Sequence, residues 1–272
     1  LIVQSYTLRD ESNALLEQAT QMMIEELHLP KIEDLDVEYF KKGVPVDTFT
    51  VKLSDMEYRL DASYHIPIVD AITHHLKENC DELTTVADTR ISKEIILPGR
   101  FKRIYVEEGV GRVFIGGKQL WELDPCNKKY LSLSQHGERI EKQLELHENM
   151  TLITCSGTIG KVALVGKHWE NWAANQHIIR VVPADDSIAG YLNIFLASDY
   201  GYRLITRHIY GAVIDEIDDT HVSRIPIPLL KNHDVQLQIN ALALKANEKR
   251  YEAYKLEQKA LEIMDREIIY AK

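Results

Sequence analysis

The chain has 272 residues, 45% of them hydrophobic and 27% charged, which is the make-up of a folded protein with a sizeable core and excludes a disordered or low-complexity chain. Its three cysteines, Cys80, Cys126 and Cys155, form an odd, widely spaced set that excludes a disulfide framework and predicts a reducing, cytoplasmic setting. The net charge of −10 argues against a uniformly basic nucleic-acid surface, and no apolar run approaches the ~20 residues of a membrane span.

An N-terminus that turns polar within four residues predicts no secretory leader, and a first residue Leu1 instead of Met predicts a fragment or a processed chain. A first helix is expected over Leu8–Leu27, with apolar positions Leu8, Leu15, Leu16, Ala19, Met22, Met23 and Leu27, ending before Pro30. Residues 30–48 carry charge and turn residues and read as a linker. A helix is expected within 63–86, with Ile66, Ile68, Val69, Ile72 and Leu76 on one side. From there to about 183 the pattern is of short strands split by Gly, Pro, Asn and Asp, among them RIYVEE, RVFIGG, TLITCS, KVALVG and HIIRVVP. IAGYLNIFLASDYGYRLITR (188–207) reads as helix, and HVSRIPIPL leads into the last element.

That element is the strongest structural signal. From Asn232 to about Tyr270 there is no Gly or Pro. Val235, Ile239, Leu242, Ala246, Ala253, Leu256, Ala260 and Ile263 recur at steps of four and three, with Lys249 as the interruption, which predicts a coiled-coil helix capped by Asn232 or Asp234. At ~1.5 Å per residue such a rod is roughly 57 Å long, a length suited to spacing or docking. Leu16-Glu17-Gln18 is echoed by Leu256-Glu257-Gln258, as in one unit of a repeated array. The expected fold class is α+β: a globular part over 49–230 with short strands and helices, flanked by a helix at 1–29 and a long helix at 231–272 that pair as an antiparallel coiled coil.

Charge is uneven along this plan. Residues 1–89 hold 7 Lys or Arg against 18 Asp or Glu, residues 90–184 hold 14 against 10, and residues 185–272 hold 11 against 14. A basic middle between acidic flanks is either chance variation of a solvated surface or a working face, and composition does not separate the two.

Enzyme motifs fail on inspection. SGTIGK (156–161) suggests a phosphate loop, but Gly157 and Gly160 are too close for a Walker A loop and Val162 stands where a magnesium-binding Ser or Thr is required. No Gly-x-Gly-x-x-Gly marks a dinucleotide site. Asp124-Pro125-Cys126-Asn127 lacks the second Pro and the aromatic of an adenine methyltransferase loop. Glu257-Gln258-Lys259 has no partner acid nearby for metal-assisted hydrolysis. His74-His75 point in different directions on a helix and read as solvent-facing.

Several stretches, in order, carry a resemblance to a known family: LRDESNALLEQA, the strand-turn-strand LITCSGTIGKVALVG, ANQHIIRVVP (174–183), YLNIFLASDYGYRLI (191–205) with Gly211 downstream, VSRIPIPLL, and HDVQLQINALALKANEKRYEAYKLEQ. Together they resemble the specificity subunits of type I restriction–modification systems. The resemblance covers both helices and the second half of the globular part. It implies a target-recognition domain at 49–230 that reads one half of a bipartite double-stranded DNA target. It also implies spacer helices on which methyltransferase subunits dock, and a restriction subunit as a further partner. No cofactor is expected on this chain; S-adenosylmethionine belongs to the methyltransferase, ATP and magnesium to the restriction subunit. The chain departs from the family in holding one recognition domain instead of two, so it reads as half a specificity subunit, either a fragment or a half-subunit that self-associates through its helices.

In that family the part before the Ser-Gly-Thr turn reads the target, which implies DNA contacts from Arg100, Lys102, Arg103, Arg112, Lys118, Gln119, Lys128 and Lys129. Arg, Lys and Gln are the side chains that reach base edges and phosphates. Ser156, Thr158 and Lys161 could donate to phosphate, or the turn could be architectural, its glycines chosen for positive φ. Arg203, Arg207, His208 and Tyr210 form a third basic-aromatic group, and Trp121, Trp169 and Trp172 read as packing residues. Two other readings compete. One is the recognition module of a single-chain restriction–methylation enzyme, distinguished by what is encoded upstream of Leu1. The other is a coiled-coil scaffold that never touches DNA, distinguished by the absence of salt-dependent DNA retention.

Overall fold

The structure, a computed structural model, describes residues 1–39 and 48–269. In chain order the helices are α1 (Ile2–Glu26), α2 (Ile32–Tyr39), α3 (Pro67–Asn79), α4 (Leu133–Arg139), α5 (Asp186–Ala197), α6 (Asp199–Thr206), α7 (Asp219–Ser223) and α8 (His233–Met264). The strands are β1 (Glu82–Thr85), β2 (Ser92–Ile96), β3 (Tyr105–Val106), β4 (Gly111–Ile115), β5 (Lys129–Ser132), β6 (Thr151–Thr154), β7 (Val162–Leu164), β8 (Ala173–Ala174), β9 (Ile178–Pro183) and β10 (Pro226–Leu229). The fold is α+β, with the two long helices at its ends packed antiparallel, as expected.

The segment 30–48 read as linker is helical over Ile32–Tyr39; Leu35 is buried in the main core and Ile32 packs against it, while Glu33 and Asp34 sit in the first turn, where the helix dipole favours acids. Residues 40–47 of that segment lie outside the described residues. The helix expected over 188–207 is two helices. The Ser198 hydroxyl accepts from the Gly201 amide at 3.2 Å and starts α6 afresh.

Strands fall into three sheets. β1 pairs with β10; β2-β9-β6-β7 form an antiparallel sheet; β3-β5-β4-β8 form another, in which β4 and β8 run parallel. The first four-stranded sheet is almost wholly buried along β6 and β9, because α5 covers one face in the main core with Ile188, Leu192 and Phe195 and a second cluster takes Leu152 and Ile178. A smaller cluster of Ile115, Leu120, Leu152, Trp169 and Ile178 joins the two four-stranded sheets.

The α1–α8 contact follows the heptad expectation at Ile239, Ala246, Ala253 and Ala260 and departs from it at the larger side chains. On α1 the buried positions are Ser5, Ser12, Ala19 and Met23, and Leu8, Leu15, Leu16 and Met22 are half-buried at its edges. On α8 the seam is Ile239, Ala243, Ala246, Ala253 and Ala260, while Val235, Leu242, Leu256 and Ile263 flank it. Small side chains let the two backbones approach: the Ser12 hydroxyl donates to the Ala246 carbonyl at 2.8 Å and that of Ser5 to Glu257 at 2.6 Å. Lys249, the interruption in the heptads, forms an ion pair with Glu11.

The N-terminal half of α8 is not a free rod but part of the domain. Its buried amides Gln236, Asn240 and Asn247 face the globular part. Asn240 Oδ1 accepts from the Gly190 and Tyr191 amides at 2.7 and 3.2 Å, and its Nδ2 donates to the Asp186 carbonyl at 2.9 Å. Gln236 accepts from the Leu230 amide and Asn247 donates to the Val165 carbonyl. Asn232 caps the helix.

At Gly190 a Cβ would meet the Asn240 carbonyl oxygen at 2.5 Å and the Ala243 Cβ at 2.9 Å. Gly190→Ala should therefore destabilise the chain by about 1–3 kcal/mol, the usual cost of overpacking, despite the better helix propensity of Ala. Equilibrium denaturation checks this; an unchanged or raised midpoint would show that α5 and α8 are not held at this distance.

Candidate nucleic-acid interface

The backbone around the SGTIGK turn is stitched to two other segments. The Cys155 amide donates to the His177 carbonyl at 2.9 Å, and the Cys155 carbonyl accepts from Ile217 at 3.0 Å. Gly157 donates to Asp215 at 2.9 Å, and Tyr210 and Glu216 exchange both main-chain bonds. Gly157 and Gly160 have φ of 77° and 82°, the left-handed region that glycine tolerates. A Cβ on Gly160 would also meet the Tyr202 ring at 2.9 Å. Ile159 is buried beneath the turn, and Thr154 Oγ1 accepts from the Lys161 amide at 2.9 Å. The turn's geometry is set by these packing and main-chain contacts, with Thr158 left exposed at its tip.

Beside the turn is a cleft of about 250 Å³, lined in part by Arg100, Ser156, Gln176, His177, Tyr210 and Glu216. Arg100 is 80% exposed and pairs with Glu216 at 3.3 Å. Arg103 Nη2 donates to Gln176 Oε1 at 2.7 Å, and Gln176 Nε2 donates to His177 Nε2 at 3.2 Å. Burial, followed by the charges of Arg103 and Arg100, holds the His177 pKa below its ordinary value, so the imidazole is neutral at pH 7 and can accept as well as donate. Three of the residues anticipated from sequence, Arg100, Ser156 and Tyr210, thus line one cleft, with Arg103 linked to it through Gln176.

A shelf continues from the cleft. Arg139 Nη1 donates to the Gly99 carbonyl at 3.3 Å and its guanidinium lies over the Phe101 ring at 4.8 Å. Lys102 is exposed, and Lys129 reaches over the Tyr105 ring at 5.3 Å. Cations over aromatic rings that are themselves partly exposed form a surface suited to sugar-phosphate and base edges.

Other anticipated residues are engaged elsewhere. Arg112 pairs with Glu145 at 3.2 Å. Gln119 accepts from the Gly116 amide and donates to the Asn127 carbonyl, closing its own turn. Lys128 pairs with Asp124 and lies over Trp172, whereas Lys118 is exposed. Lys161 sits 4.3 Å from the Trp121 ring centroid. Trp121 is 60% exposed, which corrects its reading as a packing residue; Trp169 is buried as expected. Arg203 is half-buried on α6, and Arg207 donates to the Tyr64 carbonyl at 3.0 Å and pairs with Asp70 at 3.3 Å. His208 packs against Tyr64 and His221. Gln176, His177 and Arg139 were not anticipated. The first two sit in ANQHII directly before β9, and only the antiparallel β6–β9 register places them against Ser156.

Arg180 holds the two four-stranded sheets together. It is fully buried on β9. It donates to the Leu144 carbonyl from Nε and Nη2 at 3.3 and 3.2 Å, to Ile178 at 3.0 Å, and to Ala174 on β8. Burial pushes its pKa down to about 9, so it remains charged at neutral pH, bound to carbonyl dipoles with no carboxylate among the described residues. Among those residues no three His, Cys, Asp or Glu side chains converge as a metal site, and no helix is long and apolar enough to cross a membrane.

No family model matches the chain, and no curated protein matches it. Three solved structures share a loose likeness in the path of the backbone. The HsdS subunit from Thermoanaerobacter tengcongensis is 15% identical with a TM-score of 0.40, covering 96% of this chain and 56% of that one. The type I restriction-modification system S subunit from M. genitalium is 11% identical with a TM-score of 0.42, covering 97% and 58%. A chain from a type I R-M system described for its complex assembly and conformational transition is 15% identical with a TM-score of 0.43, covering 86% and 68%. The chain thus spans a little over half the length of the first two.

Arg180→Met should leave the carbonyls of Leu144, Ala174 and Ile178 without a donor and lower stability by about 1–3 kcal/mol, read by chemical denaturation; an unchanged midpoint would deny Arg180 this role. Burial also lowers the pKa values of His168 and His208 to about 4. Above about pH 6.5 both are neutral in folded and unfolded chains and add no pH dependence. Between about 6.5 and 4 the unfolded chain takes up protons that the folded chain refuses, so stability should fall as pH falls through that window. Thermal melts from pH 7.5 to 4.5 should show this slope, shallower in His168→Gln.

Proposed function

We propose that this chain is a non-catalytic DNA-recognition unit of a type I restriction–modification complex, equivalent to one half of a specificity subunit. The observation that carries this reading is the joining of an antiparallel helix pair to a domain whose cleft gathers Arg100, Arg103, Ser156, Gln176, His177 and Tyr210. Guanidinium and amide groups are the side chains that discriminate base edges in the major groove, and hydroxyl and main-chain donors set the register on phosphate. The motifs that resemble the family in sequence supply the turn, β9 and α8, the elements that build this cleft and attach it to the spacer. A 32-residue α8 is ~48 Å long, about 14 base pairs of B-DNA at ~3.4 Å each, a span that suits separated half-sites.

On this reading the partners are double-stranded DNA, methyltransferase subunits carrying S-adenosylmethionine, and a restriction subunit using ATP and magnesium, in the cytoplasm. The far end of the helix pair supports a protein partner: Ile2, Val3, Tyr6, Leu261 and Met264 are exposed there, an apolar patch of the kind that marks interfaces. A second half-subunit or a methyltransferase would cover it. Because the chain is acidic overall, DNA affinity should be weak for the chain alone and tight in the complex.

The test is reconstitution with the co-encoded methyltransferase, followed by mapping of methylated adenines. Replacing residues 97–105 and 176–177 with those of a relative of different specificity should change one half of the methylated motif and leave the other half intact. An unchanged motif refutes the assignment of this cleft. Arg100→Ala should weaken binding to the cognate site by about 1–3 kcal/mol with an unchanged melting temperature, measured by salt-controlled titration of labelled duplex; absence of any salt-dependent retention in the complex would favour a scaffold instead.

A further inference from the structure

A second cavity, apart from the cleft, lies where the helix pair, the α5–α6 layer and the β7 hairpin meet. Its volume is about 370 Å³, within the usual range of small-molecule sites, ~300–1,000 Å³. Most of its wall is apolar. Leu16 comes from α1, Ala243 and Ala246 from α8, Ile194 from α5, and Trp121 and Trp169 also line it.

One charge faces this hollow without a counter-charge. Arg250 on α8 lines it, half-buried, and makes no ion pair or side-chain hydrogen bond among the described residues. The neighbouring half-buried cations on the helix pair are matched, Lys249 by Glu11 and Arg9 by Glu257. Burial, with Arg9 as a further like charge, holds the Arg250 pKa below its ordinary value. The one carboxylate in the wall, Asp199, is exposed at the start of α6 and makes no ion pair with Arg250. His168, also in the wall, is neutral at pH 7 and stacked 4.9 Å from Tyr254. An unmatched guanidinium in a mostly apolar recess is costly unless an anion joins it, and guanidinium geometry favours a carboxylate held by two parallel bonds.

We propose that this cavity binds a small ring-bearing carboxylic acid, its carboxylate paired with Arg250 and its apolar body against the Trp121 and Trp169 side. The bound acid touches the helix pair, the α5–α6 layer and the β7 hairpin together. It therefore braces the globular domain against its spacer and raises the stability of the whole chain by mass action. The site is separate from the DNA cleft and does not depend on the reading given above.

The probe is 3-phenylpropionate, with 3-phenylpropanamide as its uncharged counterpart, titrated into the full chain by calorimetry and thermal melting. The acid should bind saturably at millimolar concentration and raise the melting temperature, and the amide should bind about tenfold more weakly. Arg250→Gln should abolish the preference for acid over amide and Arg250→Lys should restore part of it. Because the preference is a ratio measured within one variant, a loss of stability does not mask it. Ala197→Trp at the rim should weaken both ligands. Arg100→Ala should leave the preference unchanged, which separates this site from DNA recognition. Equal binding of acid and amide, a preference that survives Arg250→Gln, or no binding at millimolar concentration overturns the proposal.

Discussion

Along most of their length the two long helices meet through small side chains. Ser5, Ser12 and Ala19 on one helix and Ala246, Ala253 and Ala260 on the other leave little but backbone at the contact, so the separation of the helices is set by hard main-chain surfaces and not by adjustable rotamers. The serine hydroxyls are satisfied across the seam by a carbonyl and a carboxylate, which removes the cost of burying them. On its other side α8 grips the domain through three amides, each hydrogen-bonded to main chain. One helix is thus held on two faces by groups that tolerate little sliding, and the position of the domain and its cleft relative to the helix pair follows from it.

The cleft is assembled from distant segments, joined through β9. Gln176 and His177 stand at the cleft directly before the first residue of β9, Ile178. Two residues further in, Arg180 turns inward to bind Leu144 and Ala174. The cleft donors lead directly into the strand that carries the interior latch, so a change in how β9 sits moves both. The Arg103–Gln176–His177 chain orients its members before any ligand arrives, and preorganised donors lose less entropy on binding.

Much of this plan was legible in the sequence, and the failures share a cause. Strands around TLITCS, KVALVG and HIIRVVP were visible because Gly and Pro punctuate apolar runs there. The Gly157–Gly160 turn was visible because its spacing fits no nucleotide loop. The heptad reading of α8 found the helix and the buried positions Ile239, Ala246, Ala253 and Ala260, but it missed Ala243 and ranked the half-buried Val235, Leu242, Leu256 and Ile263 equally, because it goes by hydrophobicity. Here the most buried positions are alanines, and buried amides such as Asn240 look like surface residues until a partner backbone is known. Trp121 was assigned to packing by residue type, yet its ring lies exposed beneath a lysine. Gln176 and His177 could be tied to Ser156 only through strand register, a long-range fact that local patterns do not contain. The break at Ser198 was hidden inside a continuous apolar pattern, where a capping hydroxyl was the one available signal.

The way Arg180 is held bears on how freely its surroundings can change. Its partners are main-chain carbonyls, which every residue possesses whatever its side chain. The latch between the two four-stranded sheets is therefore blind to residue identity at 144, 174 and 178. It demands only that the backbone pass through those three points. The hydrogen bonds of this latch survive a change of side chain at Ala174, whereas the packing of Ile115, Leu152 and Ile178 between the sheets does not.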